Sequence, residues 1–130
     1  MNDDEINRLT HKIIGCAMEV HNHLGNGYQE VVYQRALAIE FALQGISFVR
    51  EMEMGLEYKG HSIGTRRVDF FVEEKVMLEL KAIEKLEGVH KAQAINYCEA
   101  YNIADGLLIN FGGERLDYNR VFNKKLKNKS

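Results

Sequence analysis

Leu9, Ile13, Ala17, Val20 and Leu24 repeat at helical spacing with polar residues between them, so the chain opens with an amphipathic pattern. Asp3, Asp4 and Glu5 precede the run and suit the positive end of a helix. Gly25-Asn26-Gly27 breaks it. A second helix is predicted from about Gln29 to Gln44, with Val32, Ala36, Ile39 and Leu43 turned inward and Gly45 stopping it.

From Ile46 the period changes to two. Ile46, Phe48, Met52, Met54, Leu56 and Tyr58 fall on one side, with Glu51, Glu53 and Glu57 on the other, which predicts a strand bent at Gly55. After a turn near Lys59-Gly60-His61, two more strands are predicted, about Arg66–Val72 and Val76–Ala82. Alternation puts Val68, Phe70 and Val72 on one face of the first, and Arg67, Asp69 and Phe71 on the other. In the second, Val76, Leu78 and Leu80 oppose Met77, Glu79 and Lys81. If Glu73-Glu74-Lys75 connects them, Val72 faces Val76 and Asp69 faces Glu79, whereas a two-residue loop mixes apolar with charged faces. The connection is therefore expected to have odd length.

Val89 to Tyr101 reads as a helix with Ala94, Ile95, Cys98 and Tyr101 toward the core, and with Gln93 and Tyr97 one turn apart on a neighbouring stripe. Gly106 to Phe111 is a near-continuous apolar run, as in a strand covered on both faces, and Leu116 to Phe122 is a short terminal strand. The order α, α, β, β, β, α, β, β implies an α/β fold in which helices flank a mixed sheet.

Composition narrows this little. The 130 residues fit one domain, with a core at about 8–122, and 45% hydrophobic with 28% charged residues is ordinary for a globular chain. Proline is absent and no linker or repeat interrupts the pattern. Seventeen Lys and Arg against nineteen Asp and Glu leave a net charge of −2, so no global positive field advertises nucleic acid. The acidic start and the lack of a long apolar stretch predict neither signal peptide nor membrane segment. Cys16 and Cys98 both lie in helical apolar patterns and read as buried free thiols of a cytoplasmic protein.

The candidate chemistry lies on the hairpin. Asp69, Glu79 and Lys81 project from one face of adjacent strands, close enough for the carboxylates to share a ligand. Two anions at that separation repel, and a hard divalent cation, Mg²⁺ or else Mn²⁺, answers the repulsion. Such an ion polarises a phosphoryl oxygen, while Lys81 is placed to orient attacking water or to stabilise developing negative charge. Alone, the trio reads first as ordinary ion pairs on an exposed sheet face.

The trio has company. Arg66-Arg67-Val68-Asp69-Phe70, followed by Glu79-Leu80-Lys81, resembles the Asp…Glu-X-Lys signature of the PD-(D/E)XK nuclease superfamily. Gly27-Tyr28-Gln29-Glu30-Val31-Val32-Tyr33 resembles the element that names the GxxExxY protein family within it. The likeness continues through Val20-His21 and His23-Leu24-Gly25, then Gln93-Ala94-Ile95-Asn96-Tyr97 and Gly106 to Gly112, and spans roughly residues 10–112. No proline precedes Gly27 or Asp69, where the family often has one, and neither departure removes a ligand.

The resemblance implies a restriction-endonuclease-like core and metal-dependent hydrolysis of phosphodiester bonds in DNA or RNA. Glu30 would join Asp69 and Glu79 as metal ligands, and Gln93, Tyr97, Tyr33 and Arg67 would contact the substrate. The alternative is a non-enzymatic module that keeps the fold and binds nucleic acid or a protein partner. His21 and His23, two apart, point in different directions on a helix and read as packing or helix-end residues, and His90 as the start of the later helix. No phosphate-loop pattern accompanies the glycines, which read as turns. The basic tail from Lys124 to Lys129 reads as a solvated end.

Overall fold

The structure, a computed structural model, describes residues 2–127. Helix α1 spans Asp3–Leu24, opened by Asn2, whose side chain accepts the Glu5 N–H at 2.9 Å. Helix α2 spans Glu30–Leu43. Strands β1 (Phe48–Tyr58), β2 (His61–Val72) and β3 (Val76–Lys81) follow, then α3 (Gly88–Ala100), β4 (Asp105–Asn110), β5 (Asp117–Phe122) and one helical turn, α4 (Lys124–Lys127). That last turn falls in the basic tail; Asn128 and Lys129 lie outside the described residues.

The sheet runs β1-β2-β3-β4-β5, antiparallel except for the parallel β3–β4 pair that α3 connects. It is the expected mixed sheet with helices on both faces. On one face, Ile13 and Val20 of α1 and Leu37 and Phe41 of α2 pack with Phe70, Val72, Leu78, Leu80 and Ile109 of the sheet. On the other, Ala94 and Cys98 of α3 pack with Met54, Val68, Met77 and Val121. The apolar run in β4 is buried along its whole length.

The β2–β3 hairpin has the expected register, Val72↔Val76 with three residues between them. Its turn needs positive φ at Glu73 (52°) and Glu74 (56°). Other expectations are corrected. In α2 the buried stripe is Tyr33, Leu37 and Phe41 with Gln34, whereas Ile39 and Leu43 are 63% and 71% exposed. Both stripes are apolar, so periodicity could not separate them; the aromatic stripe wins because Phe41 packs edge-on against Phe70 and Tyr33 stacks on Phe111 at 4.6 Å. Strand β2 starts at His61 rather than Arg66, because pairing with β1 carries it through a stretch with no apolar alternation.

Face alternation also fails within β2. Phe70 and Val72 pack beneath α1 and α2, yet Val68 packs beneath α3. The change falls at Asp69, opposite which Glu51 adopts φ 53° and leaves the regular ladder.

Candidate active site

The β2–β3 ladder stops at Phe70↔Leu78, one pair short of Asp69 and Glu79. In its place Asp69 turns its carboxylate into the fork between the strands. Oδ2 accepts the Leu80 N–H at 2.8 Å, and Oδ1 accepts from Gln34 Nε2 at 2.8 Å. Gln34, buried on α2, accepts in turn from Arg50 Nε at 2.8 Å. An Arg50–Gln34–Asp69 relay therefore fixes the carboxylate from the α2 side.

Glu79 lies on the α3-facing side of β3 with Met77 and Lys81, and is 4% exposed. Its Oε1 is buried without a hydrogen-bond partner. Burial, then the Asp69 charge, pushes its carboxyl up to about 8; Arg66, Lys81 and the Asp69 backbone only partly oppose this. Burial also raises Asp69, against the Leu80 and Gln34 hydrogen bonds and the cations Lys81 and Arg66. Glu30, in the first turn of α2, is raised by lost hydration and then by Asp69, while Lys81 and Arg66 lower it. One field thus joins Glu30, Asp69, Glu79, Lys81 and Arg66.

Arg66, rather than the expected Arg67, belongs to this group. Its guanidinium lies 5.0 Å from the centre of the Tyr97 ring, and its Nε is buried without a partner. Arg67 is exposed and pairs with Glu53 across the ribbon. The change of face at Asp69 is the physical reason, since it exchanges which of the two arginines turns toward α3. Tyr33 is corrected too. It is wholly buried, its hydroxyl donates to Gly25 O at 2.6 Å and accepts the Tyr28 N–H at 3.2 Å, so it holds the loop before α2 and offers no surface to a ligand. Gln93 is exposed one turn before Tyr97.

Sequence reasoning missed Gln34 and Asn110. Gln34 sits four residues after Glu30, on the same side of α2, and that spacing was its one available signal. Asn110 Oδ1 accepts the N–H groups of Ile83 and Gly112 at 3.0 and 3.1 Å, and its Nδ2 donates to Ile83 O at 2.9 Å. It ties down the chain just past Lys81. A Cβ on Gly112 would lie 2.1 Å from Ile83 O, which explains that glycine. His21 is buried and hydrogen-bonds Gly113 O at 3.0 Å, and His90 Nδ1 accepts the Glu87 N–H at 2.9 Å, so both histidines are structural.

The sequence profile of the PD-(D/E)XK nuclease superfamily matches residues 7–121. The chain belongs to that superfamily. Among solved structures, the crystal structure of SSO0001 is similar, with 15% identity, a TM-score of 0.49, and 88% of this chain and 77% of that one covered. No curated protein matches.

PD-(D/E)XK nucleases generally use divalent metals. The donors here suit one in chemistry, being hard carboxylate oxygens, and in state, since Glu79 Oε1 is buried, unpartnered and beside a second carboxylate. Among the described residues, no group of three or more His, Cys, Asp or Glu is gathered into a metal-holding arrangement. Asp69 and Glu79 share one electrostatic field at the fork, and Glu30 adjoins it through Asp69.

Proposed function

We propose that this chain is a divalent-metal-dependent nuclease hydrolysing phosphodiester bonds of DNA or RNA, of the GxxExxY branch that the Gly27–Tyr33 element resembles. The observation that carries the reading is the buried, unpartnered Glu79 oxygen beside Asp69, in the Glu-X-Lys position of a chain from a nuclease superfamily. Mg²⁺, or Mn²⁺ in its place, would be held by Asp69 and Glu79, with Glu30 drawn in as a third ligand. Such an ion neutralises the paired carboxylates and polarises a phosphoryl oxygen.

The chain's own groups do the rest. The Leu80 N–H and Gln34 keep both Asp69 oxygens aimed, so little reorganisation accompanies binding. Lys81 orients the attacking water and stabilises negative charge developing at the phosphate. Arg66, braced on Tyr97, gives the phosphate a second cation, and Gln93, exposed one turn before Tyr97, contacts the strand in this reading. The buried free thiols Cys16 and Cys98 support a reducing cytoplasm.

Purified protein with Mg²⁺ or Mn²⁺ is expected to cleave single- or double-stranded DNA or RNA, and Glu79→Ala to lower the rate by about 10²-fold or more. Equal cleavage by Glu79→Ala, or none by the wild type on any substrate, sinks the reading. A second reading, a binding module that retains the fold, draws support from the lack of three gathered ligands among the described residues. It predicts no metal binding by calorimetry, and nucleic-acid or protein binding that is indifferent to Glu79→Ala.

A further inference from the structure

Strands β1 and β2 pair from Phe48↔Val72 out to Tyr58↔His61, but β3 accompanies β2 only along Phe70–Val72. Their outer half is thus a two-stranded ribbon running beyond the sheet. Tyr101 O–H donates to Gly55 O at 2.8 Å, marking where the ribbon leaves the body. From Gly55 to Thr65 every residue except Leu56 is exposed. The tip closes in a two-residue turn, Lys59-Gly60, with φ of 49° and 80°.

Two features set this ribbon apart from a bare connection. Tyr58 and Ile63 are 61% and 64% exposed, and the Lys59 ammonium lies 5.4 Å from the centre of the Tyr58 ring. At the tip, Lys59 and His61, the register partner of Tyr58, stand against Glu57, and Arg66 and Arg67 follow where β2 returns to the body, Arg67 opposite Glu53. An exposed aromatic ring beside a cation suits a single strand: the ring stacks on a base and the cation meets a phosphate. A duplex offers only base edges in its grooves, so an exposed ring at a tip suits an unpaired base better. Strand β2 also leads directly from the tip into the site. Eight residues separate His61 from Asp69, about 26 Å of strand and about eight stacked nucleotides.

We propose that the ribbon of residues 55–65 is an arm that grips an unpaired nucleic-acid strand about eight nucleotides from the reacting phosphate, with Tyr58 stacking on a base and Lys59 and His61 on its backbone. The proposal rests on the nuclease reading and makes its substrate a single strand at that distance from the cut.

Fluorescence anisotropy in EDTA tests the arm apart from the chemistry, using labelled single strands of about 18 and about six nucleotides and a duplex of the longer length. The long single strand binds best, Tyr58→Ala and Lys59→Glu each weaken it by about 10- to 100-fold, and Tyr58→Phe stays within about threefold of wild type. The short strand, which cannot span from site to tip, binds more weakly than the long one. Circular dichroism spectra match wild type, because the tip is exposed. Unchanged binding of the long strand by Tyr58→Ala and Lys59→Glu, or equal affinity for duplex, overturns the arm even if Mg²⁺-dependent cleavage is present. Tip-sensitive binding without cleavage in any metal leaves the arm standing and removes the nuclease reading.

Discussion

Glu79 carries an anion into a buried site that already holds Asp69, and its energetics follow from that. Its carboxyl titrates near 4.5 as an ordinary group and is pushed up to about 8 in the fold. Between those values the folded chain binds a proton that the unfolded chain has released, so stability falls as pH rises through this window. In EDTA, melting temperature is expected to be highest near pH 5 to 6 and to drop toward pH 8.5, a loss on the order of 2 kcal/mol. Glu79→Gln should flatten the profile and melt above wild type at pH 8.5; a profile identical to wild type would contradict this account of the Glu79 field. Gln34 works at the same scale by holding one Asp69 oxygen. Gln34→Leu, close in size and apolar, should leave the fold intact and weaken metal binding by about 10- to 100-fold, as read by calorimetry.

At the scale of elements, the fork between β2 and β3 makes the site. Asp69 accepts the Leu80 N–H where a backbone carbonyl would otherwise continue the ladder, and Asn110 and Gly112 pin the chain beyond Lys81. The turn that sets the register is locally strained, because Glu73 and Glu74 both hold positive φ and neither is glycine. Glu73 is engaged by the Ser47 hydroxyl, while Glu74 is exposed. Glu74→Gly should therefore stabilise the protein by about 1 kcal/mol, visible as a higher denaturant midpoint at unchanged slope. A lower midpoint would mean that the turn is held by contacts of the Glu74 side chain.

For the molecule as a whole, the buried Glu79 and half-buried Asp69, with Glu30 in the same field, make the fold less stable than its core permits. A ligand that binds only the folded chain stabilises it by mass action. Mg²⁺ at tenfold above its dissociation constant should add about 1.4 kcal/mol at pH 8, and Glu79→Ala should abolish the gain. Thermal melts over a Mg²⁺ series check this, and an equal rise in the variant would place the ion elsewhere. Among the described residues no helix is long and apolar enough to cross a membrane.

The order of elements and the odd hairpin loop were legible in the sequence, because each depends on local periodicity and strand parity, whereas the expected facing of Asp69 and Glu79 across the ladder does not form, since the ladder ends one pair before them. The likeness in the Gly27–Tyr33 and Glu79–Lys81 segments pointed to the same superfamily that the profile match identifies. What the tertiary structure decided was every choice between equivalent faces. Ile39 and Leu43 are as apolar as Leu37 and Phe41, and only packing against Phe70 and Phe111 selects the second stripe. Arg66 and Arg67 are adjacent and alike; the reversal at Asp69, where Glu51 leaves the β1 ladder and the β3 ladder has ended, sends the first toward the carboxylates and leaves the second in solvent. Alternation along a strand is a local rule, and it fails where a side chain replaces the ladder.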